Sequence, residues 1–191
     1  MKLAQKFVKV EDINQELLDR FLEPYLENCK YLKKAQFKYP ELESGEAWTI
    51  EGDFAIPESC YIDDTGHFNS VEFNICFTQL FYVAIAHLLQ NNISKTLAGL
   101  DLETYKHRQL SNFLIVKFSS SFKKTISASN FQGTLQINRC TISADLIIMD
   151  TTCAFTDNNK GKATGKVTIA VLKSKNKEKV IVEPKEVLIQ S

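Results

Sequence analysis

The chain has 191 residues, 44% of them hydrophobic, and 23 basic side chains balance 23 acidic ones. That length fits one domain with a substantial core, and the balanced charge supplies neither the basic field of a nucleic-acid binder nor an acidic disordered tail. The opening MKLAQKFVKV has no apolar signal core or small-residue cleavage site, and the five scattered cysteines form no C-x-x-C. Both features fit a reducing, cytoplasmic setting without a disulfide frame.

In chain order, Ile13, Leu17, Leu18, Phe21 and Leu22 have the spacing of an amphipathic helix over residues 11–22, with Asp12 as cap and Pro24 as stop. Residues 34–39 and 46–56 read as two strands of an antiparallel hairpin. Ser44-Gly45 marks its turn, and Gly52-Asp53 breaks the second strand as a bulge or turn. A polar turn follows, Tyr61 to Asn69, and then Val71 to Leu89, apolar on nearly every side and free of Gly and Pro. A helix of that kind is a buried one. Glu72, Asn74, Thr78, Gln79 and His87 make it too polar to cross a bilayer, and no membrane insertion is expected. Ser70 or Asn69 is its natural cap. Cys76, inside it, reads as a small core residue.

Beyond a loop, a short helix is expected over 101–107. Strands are expected over 110–126, 131–138, 141–155 and 163–173, with turns at Ser127–Asn130, Asn138-Arg139 and Asp157–Gly161. In the first of these strands Phe113, Ile115 and Lys117 share one face, and Leu114, Val116 and Phe118 the other. The domain is expected to span 1–173. The tail 174–191 carries one more apolar alternation and is either an edge strand or a partner-contacting arm.

One long helix this apolar needs cover on all sides. A curved antiparallel sheet wrapped around it gives that cover: an α+β chain of hot-dog architecture, with strands and helices segregated in sequence. The polar turn delivers the N-terminus of that helix, where unpaired N–H groups and partial positive charge suit an oxygen that becomes negative, as a thioester carbonyl does under attack.

Asp63, Gly66, His67, Asn69 and Phe73 stand at the spacing found in many hot-dog thioesterases. A longer match runs from about residue 20 to residue 172 through Leu22-Glu23-Pro24-Tyr25, Cys29-Lys30-Tyr31-Leu32, Pro57-Glu58-Ser59-Cys60-Tyr61-Ile62, Thr65-Gly66-His67-Phe68-Asn69, Cys76-Phe77-Thr78-Gln79-Leu80 and Arg108-Gln109-Leu110-Ser111. In these pieces the chain resembles the FcoT-type acyl thioesterases, a hot-dog family acting on long-chain acyl thioesters. The resemblance implies that polar side chains, rather than a conventional nucleophile, line the reaction site: Tyr25, Tyr61 and Asn69. A fourth position often holds Asn in the family and is Thr78 here, a hydroxyl with one donor in place of two. Asp63 offers a carboxylate that FcoT-type chains need not have and is the alternative general base.

The resemblance implies hydrolysis of long- or medium-chain acyl-CoA or acyl-carrier-protein thioesters as the leading activity. Glycine addition to a 2-enoyl group on an acyl carrier protein, the role of members tied to isonitrile lipopeptide assembly, is the alternative. A module that binds acyl thioesters without turnover is a third. His67, Ser70, Lys117, Lys123 and Lys124 are the substrate-binding candidates, the lysines for the phosphates of coenzyme A or a phosphopantetheine arm. Each residue has a plainer reading as well: Asn69 a helix cap, Tyr61 and Tyr25 packed aromatics, His67 a turn residue, Asp63 half of a solvated pair with Asp64, and the lysines a wet strand face. No metal-ligand cluster, phosphate loop or Ser-His-Asp signature is present, so no metal or cofactor is expected. Hot-dog domains pair into a continuous sheet, which implies a homodimer, and the resemblance extends this to a hexamer made of three dimers.

Overall fold

The computed structural model describes residues 7–40, 48–63, 66–97 and 99–173. The expected Ser44-Gly45 turn, Asp64, Thr65 and the 174–191 tail lie outside the described residues. The elements are β1 (Phe7–Asp12), α1 (Gln15–Leu22), β2 (Leu32–Pro40), β3 (Trp48–Phe54), α2 (Ser70–Gln90), α3 (Leu102–Asn112), β4 (Phe113–Lys124), β5 (Phe131–Ile142), β6 (Leu146–Thr156) and β7 (Lys162–Leu172). Short 3-10 turns lie at Glu27–Cys29 and Lys95–Leu97. The strands form one seven-stranded sheet in the order β1-β2-β3-β5-β6-β7-β4, and every neighbouring pair is antiparallel. The sheet curls around α2, and the α+β hot-dog fold that the element order implied is the fold observed.

The all-round apolar sequence of α2 explains its place. Phe73, Phe77, Leu80, Val83, Ile85 and Ala86 are fully enclosed, and each large side chain of this kind contributes about 1.5–3 kcal/mol on burial. By length and composition α2 is apolar enough to cross a bilayer, yet 78% of its most apolar window is covered by the fold. The sheet approaches it closely because two strand positions have no side chain. A Cβ on Gly52 would stand 2.5 Å from Leu32 Cδ1 and 2.9 Å from Leu80 Cδ1, and one on Gly165 would stand 2.6 Å from Phe73 Cζ. Gly52 therefore marks close packing in an unbroken β3, not the break or turn that its sequence suggested. The register slip falls on the partner strand, at Lys33, between the Leu32↔Phe54 and Lys34↔Asp53 pairs.

Other boundaries differ from expectation for identifiable reasons. Residues 7–12 form an edge strand against β2. The helix predicted from residue 11 begins at Gln15 because Asn14, not Asp12, caps it, its Oδ1 accepting from Leu17 N at 2.7 Å. The third helix continues to Asn112 and passes straight into β4. In β4, Val116 is an extra residue between the Ile115↔Ile169 and Lys117↔Thr168 pairs. That bulge overturns the expected facing: Phe113 and Phe118 both meet the core, against Phe81 and Phe73 respectively. Asn138 is likewise a bulge inside β5, and the turn expected there falls instead at Ser143, whose N–H donates to Leu146 O at 2.9 Å.

Candidate functional site

The polar turn and the first turn of α2 build the site. Asn69 holds an extended backbone (φ −121°) and caps the helix: its Oδ1 accepts from Val71 N at 2.9 Å and Glu72 N at 3.4 Å. The Glu72 carboxylate returns the interaction by accepting from Asn69 N at 2.9 Å, a complete capping box. With its oxygen committed to the backbone, the Asn69 amide can only turn its Nδ2 outward. That nitrogen donates to the Tyr61 hydroxyl at 2.5 Å. Tyr61 Oη therefore receives one proton and has its own left to give, and the second N–H of Asn69 is also a donor. Asn69 is half-buried and Tyr61 is 40% exposed, so both donors are open to a ligand. The cap reading of Asn69 and its chemical reading are compatible, since they use different atoms.

Tyr61 is held by a relay that sequence reading passed over. Gln79 is fully buried; its Oε1 accepts from Tyr31 N at 3.0 Å and Leu32 N at 2.9 Å, while its Nε2 donates to Cys29 O at 2.6 Å. Tyr31 is thereby fixed, and its hydroxyl accepts from Cys60 N at 3.2 Å, one residue before Tyr61. The signal was available: an uncharged amide in the most apolar stretch of the chain must find partners there. Beside it, burial and the neighbouring Cys60 thiol push the Cys29 thiol up to about 11.

Tyr25 lies in the turn that follows α1, beside Cys76 and Tyr82 of α2. It packs half-buried against the core, and burial, followed by the nearby Tyr82 and Cys76, pushes its phenol well above the usual range. It is a neutral donor at any working pH. Thr78 is half-buried, and its hydroxyl donates back to Asn74 O at 2.8 Å, which leaves it as an acceptor. At 1.5 Å per residue, Thr78 stands about 13 Å along the axis from the Asn69 cap. Within one chain the structure thus joins Tyr61 to Asn69 and leaves Thr78 well apart from them. Thr78 and Tyr82 instead line an apolar cavity of about 260 Å³ between α2 and the β4–β7 edge.

The remaining candidates are surface groups. Asp63 is exposed and, among the described residues, has no hydrogen-bond or ion-pair partner. His67 and Ser70 are exposed at the helix entry, where Gly66 takes a left-handed φ of +71°. Lys117, Lys123 and Lys124 are exposed along β4, and Lys124 Nζ donates to Asn159 O at 2.6 Å. Among the described residues no group of three or more His, Cys, Asp or Glu is arranged to hold a metal ion.

A seven-stranded antiparallel sheet curled on one long helix defines a hot-dog protein. The model of the FcoT-like thioesterase domain matches residues 20–171, and the chain belongs to that family. Among curated proteins it is 34% identical over 162 residues to a (2E)-enoyl-[ACP] glycyltransferase of Streptomyces coeruleorubidus, covering 82% of this chain and 96% of that one. It is 38% identical over 170 residues to a protein of the same name from Mycobacterium tuberculosis, covering 84% and 87%. The dehydratase domain of RzxB from Pseudomonas fluorescens shares the fold at a TM-score of 0.51 and 10% identity, over 91% of this chain and 55% of that one.

Proposed function

We propose that the protein adds glycine across the double bond of a (2E)-enoyl thioester carried by an acyl carrier protein. The observation that carries this reading is the shared name of relatives 34% and 38% identical over more than four fifths of the chain. It moves glycine addition ahead of the hydrolysis that the sequence put first. In the reaction the glycine nitrogen bonds to C3, and the π pair shifts to give an enolate whose charge sits on the thioester oxygen. C2 then takes a proton and the nitrogen gives one up, so nothing leaves. The Asn69 Nδ2 and Tyr61 hydroxyl donors, at the positive end of α2, suit that oxygen. Neither residue needs to be a nucleophile or a base. The exposed lysines of β4 are the candidates for the phosphates of the carrier arm, and the cytoplasm is the setting that such a carrier requires.

The test is intact-mass analysis of an enoyl-loaded carrier protein incubated with enzyme, with and without glycine. A gain of one glycine is expected only when both are present; loss of the acyl group without glycine addition would instead support acyl-thioester hydrolysis, the second reading, which rests on the family description. Unchanged carrier in both arms would leave the binding module.

We further propose a homodimer formed along β4, assembling three dimers to a hexamer. Among the described strands β4 has β7 as its one neighbour, and Leu114, Ile115, Val116 and Phe122 are each at least 38% exposed on it. A long apolar edge of this kind calls for a partner strand. Light scattering should give a multiple of the chain mass for the wild type and a monomer for Val116→Lys; a wild-type monomer at low micromolar concentration would refute the pairing.

A further inference from the structure

Phe113 lines two cavities at once. The first is the cavity of about 260 Å³ beside Thr78, whose walls also include Phe77, Phe81, Tyr82 and Ile169. The second, about 510 Å³, lies at the far end of the sheet between α3 and the ends of β6 and β7; Leu97, Leu100, Ile142, Ile147 and Leu172 form its apolar side, and Arg108, Asn112 and Lys173 its polar rim. Phe113 is the first residue of β4, directly after α3, and is held there firmly. It pairs with Val171 in the sheet, its ring lies 4.9 Å from Tyr105 and 6.2 Å from Phe81, and it is only 6% exposed. From the Asn69 cap, the exposed positions Val71 and Asn74 and then Thr78 lie one helical turn apart along α2 and lead to the mouth of the first cavity.

We propose that the acyl chain of the substrate runs down this stripe into the first cavity and that Phe113 is the wall that sets its length. The inference rests on the reading of the substrate as an acyl thioester and specifies which chains it takes. With the carbonyl at Asn69 and Tyr61, the chain follows α2 and its terminal methyl meets the Phe113 ring. At roughly 30 Å³ for a water-sized group, the first cavity holds about eight or nine methylene-sized groups. Chains beyond that stop have nowhere apolar to go while the ring stands. Shortening the ring opens the larger cavity behind it.

The experiment measures calorimetric affinity for saturated acyl-CoA thioesters, from hexanoyl to hexacosanoyl, which bind but cannot undergo addition. In the wild type, affinity should rise by about fourfold per methylene and then stop rising at one chain length. Phe113→Leu should move that break to longer chains. Ile142→Trp, which fills the second cavity, should leave the wild-type break in place and, combined with Phe113→Leu, return it toward the wild-type position. Thermal melts of all variants establish that they are folded. A break that stays put in Phe113→Leu overturns the proposal, as does a series with no dependence on chain length. Because saturated chains cannot undergo addition, a shifted break in a protein that adds no glycine would sink the proposed reaction and leave Phe113 as the length stop.

Discussion

The two ends of α2 use polar groups in opposite ways. At the N-terminal end Asn69 satisfies the backbone with its oxygen and turns its nitrogen, with the Tyr61 hydroxyl, toward solvent. At the C-terminal end His87 is 3% exposed and stacked on Phe37 at 4.6 Å. There Tyr39 Oη donates to Glu11 Oε2 at 2.9 Å, so His87 Nε2, 3.0 Å from Tyr39 Oη, must be the donor to it, and Nδ1 accepts from Asn91 Nδ2 at 3.3 Å. One neutral tautomer, protonated at Nε2, satisfies all three contacts. A polar cluster whose donors are all consumed inside holds strands to a helix. One with donors left over, and open to solvent, is where the proposed reaction places the substrate oxygen.

That contrast is sharpened most by Asn69→Asp. Aspartate caps a helix as well as asparagine does, yet has no N–H to offer. The melting temperature should hold within a few degrees while turnover falls by about 100- to 1,000-fold, the cost typical of a lost oxyanion donor. Retained turnover in a folded Asn69→Asp would make the N-terminal end as purely structural as the other. Next in size is Gln79→Ala, which strips partners from the buried Tyr31 and Leu32 N–H groups at about 1–3 kcal/mol each; urea unfolding should register the loss directly.

The C-terminal end should show itself through pH. Burial lowers the His87 pKa, and the nearby Glu11 only partly offsets it. Below an ordinary histidine value of about 6.5 the unfolded chain then binds a proton that the folded chain resists. Stability is full above that pH and declines as pH falls toward the folded pKa, by at most about 1.4 kcal/mol per unit. His87→Phe should flatten the dependence in urea midpoints measured across that window; an unchanged slope would place its origin elsewhere. Glu11, held below the usual carboxylate range by Lys9 and Tyr39, acts only at more acid pH. The smallest effects belong to Asp63→Asn and Thr78→Asn, both expected within about twofold of wild-type turnover, since one group is exposed and the other has its hydroxyl turned back on the helix. A severe loss in Asp63→Asn would restore the carboxylate as base.

The N-terminal end was legible in sequence because its interactions are local: cap, Glu72 and Tyr61 all fall within a few residues of Asn69. The long buried helix and the strand succession were legible from composition and alternation. What escaped is what distant segments decide. Tyr39 of β2 and His87 of α2 meet between sheet and helix, Gln79 finds its partners at the entry to β2, and the bulges at Val116 and Asn138 exist only relative to their partner strands. The FVKVED strand was missed because three of its six residues are charged and it pairs on one side alone. Helical spacing already implied the separation of Thr78 from Asn69, yet a shared family motif invites placing both on one carbonyl.

The strand order also dictates how the chain must fold. Phe54 of β3 pairs with Phe131 of β5, and α2, α3 and β4 all lie in the loop that this pairing closes. Closing so long a loop costs entropy before any of its contacts repay it, and sheets joined this way fold slowly. Until the closure occurs, the most apolar segment of the protein is a helix without its wrapping. Refolding should therefore be limited by the union of the β1–β3 and β4–β7 halves, and aggregation should compete at that step in proportion to protein concentration.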